Sequence, residues 1–180
     1  MTERLPRRAA MVAAMAALVL LVPAPAPAQQ SVLVPFEIKD QFDRVHRHSD
    51  YADQILIVIG SDRNGSEFHD DWESALRDSL AADSSDAGIA FLSVAEVRGV
   101  PFFLKGTVKG KFSREEDEWI LLDWNGLLAE TYGFEANSAN ILVFAADGTL
   151  ALHVHGRELD FSKLSVILAT LRQTRADTPH

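Results

Sequence analysis

ILIVIGSDRNGSEFHDDWESALRDSL, Ile55 to Leu80, carries the strongest fold signal in the chain. Ile55 to Ile59 is apolar on both faces, as suits a central strand of a parallel sheet covered on two sides. Gly60 to Ser66 is a polar loop. From Glu67 to Leu80, Phe68, Trp72, Ala75, Leu76 and Leu80 recur at helical spacing and make one buried stripe. Asp70, Asp71, Glu73, Arg77 and Asp78 are expected to face water. Asn64 or Ser66 is expected to cap this helix, and Asn64 has Glu67 three residues on, as a capping box requires. The carboxyl end of such a strand, at the turn into a helix, is where open α/β folds place their chemistry.

Working outward, Phe36 to Phe42 alternates and reads as a strand, with Val45 returning as a hairpin into His46-Arg47-His48. Gly88 to Val97 reads as the next strand, broken at Gly99-Val100-Pro101. A helix is expected from Pro101, with Leu104, Val108 and Phe112 on one face, though Gly106 and Gly110 each weaken it by roughly 1 kcal/mol. Glu115-Glu116-Asp117-Glu118 reads as a solvated connector. Trp119 to Asp123 is a third strand, Asn125-Gly126 its turn, and Leu127 to Tyr132 a short helix ended by Gly133. Ile141 to Ala145 and Thr149 to His155 form a hairpin through Asp147-Gly148. Leu150, Leu152 and Val154 are expected inward, His153 and His155 outward. Asp160 caps a last helix whose stripe is Phe161, Leu164, Leu168 and Leu171, and residues 174–180 read as a polar tail. Strands alternating with helices imply a parallel sheet with helices on both faces. The expectation is an α/β protein: a three-layer α/β/α sandwich over residues 34–173, with an N-terminal β extension and a C-terminal β-hairpin plus helix.

Arg4, Arg7 and Arg8 precede an apolar run, Ala9 to Val22, and Ala26-Pro27-Ala28 supplies a small-x-small site. This pattern reads as a secretory signal over residues 1–28, cleaved before Gln29, with an uncleaved anchor as the alternative. Removing its three arginines and one glutamate takes the formal charge from −9 to −11. So acidic a chain is a poor nonspecific nucleic-acid binder. The 180 residues contain no cysteine, which excludes disulfides, thiol redox work and zinc-thiolate sites. The expected location is periplasmic or secreted, and no cofactor is expected.

Trp119-Ile120-Leu121-Leu122-Asp123-Trp124-Asn125-Gly126, Glu130-Thr131-Tyr132-Gly133, and Ile141 to Leu150 followed by His155-Gly156 together resemble redoxin domains of the thioredoxin superfamily. Within it, the chain is most similar to the YtfJ type of exported proteins. It shares with them the signal, the terminal hairpin, the lead Glu135-Ala136-Asn137-Ser138-Ala139, and the lack of redox cysteines. The resemblance implies a thioredoxin-like fold and carries over no catalytic residue. Where redox-active relatives hold Cys-x-x-Cys, this chain reads Asp62-Arg63-Asn64-Gly65. Ser138 or Ala139 stands where they hold a proline before the penultimate strand.

Three candidate features follow. Asp62, Arg63, Asn64 and Gly65, with Ser138, Ala139 and Asn140, would flank a groove for a protein or peptide of the envelope; the plain alternative for the first loop is a turn and a cap. His46-x-His48 and His153-x-His155 would offer imidazole pairs to a metal, as a carrier or a metal-dependent enzyme, with His69, Asp70 and Asp71 as further ligands. No Gly-x-Ser-x-Gly elbow supports a serine hydrolase. Phe102, Phe103, Trp119 and Trp124 are expected in the core, the alternative being an apolar patch for a partner. The expected partners are an envelope protein or peptide, with no nucleic acid and no membrane contact beyond the signal.

Overall fold

A computed structural model describes residues 31–82 and 88–177. Residues 1–30, where a signal is expected, 83–87 and 178–180 lie outside the described residues. In chain order the elements are β1 (Glu37–Lys39), β2 (Val45–Arg47), β3 (Ile55–Ser61), α1 (Ser66–Ala82), β4 (Ile89–Glu96), α2 (Lys105–Lys109), β5 (Leu121–Asp123), α3 (Leu127–Tyr132), β6 (Ala139–Phe144), β7 (Leu150–Gly156) and α4 (Phe161–Asp177).

β3 is the centre. Every one of its residues is buried, which is why the run from Ile55 shows no polar face. The main sheet has the order β5-β4-β3-β6-β7. β4 runs parallel to β3, from Ile55 opposite Ile89 to Ser61 opposite Ala95. β6 runs antiparallel on the other side, with Val58 opposite Leu142. Of the terminal hairpin, β6 is the immediate neighbour of the central strand, and β7 is the edge.

Alternate residues of β3 feed two cores. Ile55, Ile57 and Ile59 pack with Trp72, Leu76, Leu80, Ile141, Leu164, Ile167 and Leu171 beneath α1 and α4. Leu56 and Val58 pack with Phe36, Leu92, Val94, Leu121, Leu128, Leu142 and Phe144 on the other face. The helices and strands form the expected three layers. A β-bulge between Val143 and Phe144 pairs Phe144 with Leu150 but Val143 with Leu152. It sends Leu150 to the second core and Leu152 to the first, so the strict alternation expected along β7 fails there.

Four local readings change. The Phe36–Phe42 strand stops at Lys39, because the buried Asp40 carboxylate accepts the N–H groups of Phe42 and Arg44 at 2.9 Å each and folds the chain into a turn. The helix expected from Pro101 is only a 3₁₀ turn, Phe102–Leu104, followed by the five residues of α2, and none of these side chains is buried. Phe161 is 73% exposed, and Ile167 takes its place in the stripe of α4. That helix also runs through the supposed tail to Asp177, because Thr174 is buried and no proline or glycine stops it earlier. Its start is as expected: Asp160 Oδ1 accepts the N–H groups of Ser162 (2.8 Å) and Lys163 (3.2 Å).

Candidate functional site

The loop after β3 and the loop before β6 lie against each other, as the groove reading requires, but they are clasped shut. Asp62 holds both sides: Oδ1 accepts the Gly65 N–H at 2.7 Å and Oδ2 the Asn137 N–H at 2.9 Å. Asn64 Nδ2 donates to Asn137 Oδ1 at 2.6 Å. Asn64 therefore bridges the loops with the side chain expected to cap α1. The Ser66 hydroxyl donates back to the Arg63 carbonyl at 2.8 Å and does not cap the helix either.

Gly65 is required by contact. A Cβ at this position would stand 2.4 Å from the Ser138 carbonyl oxygen and 2.7 Å from its nitrogen, both backbone atoms that cannot swing aside. Gly65→Ala is expected to lower stability by about 2 kcal/mol, within the usual cost of overpacking. Thermal unfolding of the variant checks this, and an unchanged midpoint would mean that the loops are not in contact.

Behind the clasp sits Asn140, with no exposed surface. Its Nδ2 donates to the carbonyls of Glu135 (3.0 Å), Ser138 (3.2 Å) and Gly60 (3.4 Å), while Oδ1 accepts the Glu135 N–H at 2.7 Å. Ser138 and Ala139 are buried as well. With Gly65, four of the seven residues read as a binding surface are thus internal; they shape the loops and are not available to a partner.

The accessible feature is an open cleft of about 630 Å³ beside the clasp, lined by Arg63, Asn64, Ser66, Glu67, Phe68, Asn137 and Arg157. Arg63 and Arg157 are both exposed, and neither is in an ion pair among the described residues. Arg157 was missed in sequence because it lies directly after the terminal hairpin, ninety-odd residues from Arg63. Gly156 brings it there: this residue is buried against Trp72, where even a Cβ would come within 3.0 Å of the indole.

A second feature missed from sequence is a polar network inside the α1 face. Ser61 Oγ lies 3.2 Å from His69 Nδ1, and His69 Nε2 lies 3.4 Å from Glu73 Oε2 without hydrogen-bond geometry. Glu73 accepts the Ser93 hydroxyl at 2.6 Å and the Arg77 guanidinium at 2.6 and 2.8 Å. It does not face water as expected. Burial opposes its charge, but the close approach of the His69 ring and the hydrogen bonds from Ser93 and Arg77 outweigh that and hold its carboxyl down at about 2. The order serine, histidine, carboxylate invites a hydrolytic reading. Ser61 is 3% and His69 4% exposed, so no substrate reaches either; the network is a buried tie between β3, α1 and β4.

The histidine pairs are not brought together. β2 belongs to a two-stranded sheet whose partner strand leads to Asp40, bridged to Leu121 of the edge strand β5, whereas β7 is the opposite edge of the main sheet. Both nitrogens of His46 are engaged, Nε2 at 3.2 Å from Asp40 Oδ2 and Nδ1 at 3.4 Å from the Tyr51 hydroxyl, and its ring stacks on Trp119. His48 Nδ1 contacts the Phe36 carbonyl at 3.4 Å. The rings of His153 and His155 stand 6.5 Å apart. His153 turns inward, not outward: its Nε2 lies 3.4 Å from Asn140 Oδ1, and burial with the neighbouring His155 lowers its pKa. His69 is buried while Asp70 and Asp71 are exposed. No group of three or more His, Asp or Glu converges on a metal position among the described residues.

Comparison with solved structures decides the architecture. The exposed lipoprotein thioredoxin Etrx1 of Streptococcus pneumoniae superposes with a TM-score of 0.54 at 20% identity, over 78% of this chain and 99% of that one. The fold is thioredoxin-like. BsSco, a member of the Sco family of cytochrome c oxidase assembly proteins, gives a TM-score of 0.56 at 12% identity over 83% and 96% of the two chains. A thiol:disulfide interchange protein DsbE from Chlorobium tepidum gives 0.53 at 16% identity over 79% and 96%. No protein-family model matches the sequence, and no curated protein matches it. With no cysteine, this thioredoxin-like chain is redox-inactive as a thiol protein.

Proposed function

We propose that this chain is an exported module of the bacterial envelope, of the YtfJ type, that binds a protein or peptide at the cleft beside the start of α1. One observation carries the reading. The two loops that face each other at the end of β3 remain in contact, held by Asp62, Asn64 and Asn137 in place of any reactive group, and the open cleft next to them presents two uncommitted guanidiniums. A redox-inactive scaffold that keeps this geometry retains a surface, not a reaction. The signal-like N-terminus supports export, and the likeness to an exposed lipoprotein agrees with it.

Arg63 and Arg157 are the anchors, because arginine meets carboxylates and peptide carbonyls through a planar fork. Arg63→Ala with Arg157→Ala is expected to weaken binding of the co-purified partner about tenfold or more, since a truncated anchor commonly costs above ~1 kcal/mol. Both side chains are exposed, so the fold is retained. Titration of the purified partner against the double variant checks this. Unchanged affinity would move the site elsewhere.

A further inference from the structure

The segment between β4 and β5 stands apart from the rest of the surface. Phe102 is 84%, Phe103 69% and Leu104 42% exposed, and the two phenyl rings meet edge to face with centroids 5.7 Å apart. From Val97 to Arg114 there are five cations, Arg98, Lys105, Lys109, Lys111 and Arg114, and no acid, in a chain of formal charge −9. Arg98 is taken up by Glu96 and Glu130, and Lys109 by Asp43. Lys105, Lys111 and Arg114 make no ion pair among the described residues; Lys105 Nζ lies over the Trp124 ring at 4.6 Å.

We propose that this Phe102–Arg114 surface seats the protein on an anionic lipid bilayer. The chemistry is complementary on both counts. Lysine and arginine beside a membrane are drawn to anionic headgroups, each by about fivefold in affinity. Phenyl rings favour the boundary between headgroups and acyl chains. The rings form an exposed tip at a 3₁₀ turn. A bilayer accepts such a tip whatever its outline, whereas a protein partner must supply a matching hollow. The acidic remainder of the surface opposes binding only weakly, since charges beyond about 8 Å are screened at physiological salt. Glu115 to Glu118 follow directly and reduce the local attraction. Two of their carbonyls are held by Arg44 (3.0 Å) and Gln41 (2.9 Å) of the β1–β2 hairpin. This surface is independent of the cleft at α1, so either proposal can fail alone.

The test is co-sedimentation of the chain from Gln29 onward, which contains all the described residues, with vesicles. One set is pure phosphatidylcholine and the other contains about a third phosphatidylglycerol. Binding is expected on the anionic set and at least about tenfold weaker on the neutral one. Lys105→Glu, Lys111→Glu and Arg114→Glu together should reduce anionic binding by about a hundredfold or more. Phe102→Ser with Phe103→Ser should reduce it by about tenfold with the fold intact, since both rings are already in water. The inference is overturned by no binding to either set, by equal binding to both, or by anionic binding that survives the charge reversals. Capture of poly-glutamate without capture of vesicles would also overturn it, by assigning the patch to an acidic polypeptide.

Discussion

Replacing Asn140 by alanine is expected to lower the unfolding free energy by about 3 kcal/mol, the larger of two effects that bear on the loop geometry. The side chain has no exposed surface and serves five neighbours: three carbonyls, one N–H and, at 3.4 Å, the ring of His153. Alanine leaves the Glu135 N–H and at least two carbonyls without partners, and a buried group left unpaired costs about 1–3 kcal/mol. Asn140→Asp is a sharper case. It replaces a donor pointing at three carbonyls with a carboxylate oxygen, so it should destabilise at least as much as alanine at neutral pH. Denaturant titration of both variants reads the result. A loss below about 1 kcal/mol for both would show that the loop before β6 does not depend on this side chain.

The second large effect is in pH. Glu73 has a folded pKa of about 2 against a usual 4.5, so the unfolded chain binds the proton more readily. Stability from this group is therefore fully present above about pH 4.5 and is lost as pH falls towards 2. The shift alone corresponds to about 3 kcal/mol. The side chain is 22% exposed, and solvent screening reduces this to about 2 kcal/mol. Glu73→Gln should cost that amount at pH 7 and flatten the dependence of stability between about pH 4.5 and 2. Unfolding of wild type and variant at several pH values in this range checks both statements. Parallel curves would remove Glu73 as the source.

The scaffold was legible where burial acts on a whole element. Ile55 to Ile59 shows no polar face because both sides of β3 are covered, and Leu127–Tyr132 with Gly133 was bounded by the turn chemistry on either side. What sequence reading missed were contacts between distant segments. Glu73 occupies a helical position that normally faces water, and only the approach of Ser93 from β4 brings it inside. Asn140 reads as a polar residue near a loop, and nothing local shows that five groups converge on it. Phe102 and Phe103 fail in the opposite sense. Hydrophobicity assigns them to the core, but α2 is too short and too glycine-rich to carry them there. The pairing of Asp62 and Gly65 with Asn137 and Ser138 was foreseen as proximity, yet its closure by side chains, with the cleft displaced towards Arg157, depends on side-chain directions that spacing does not encode.

The most direct test is site-specific photo-crosslinking in cells that make the protein. A photoreactive residue is placed singly at Ser66 and Glu67 in the cleft, which leaves both arginine anchors in place, and at Glu37 and Ala151, exposed and outside the cleft lining. A partner seated beside α1 predicts one discrete crosslinked species shared by Ser66 and Glu67 and absent from Glu37 and Ala151. The same yield from all four positions, or a species formed only at the distant pair, would contradict it.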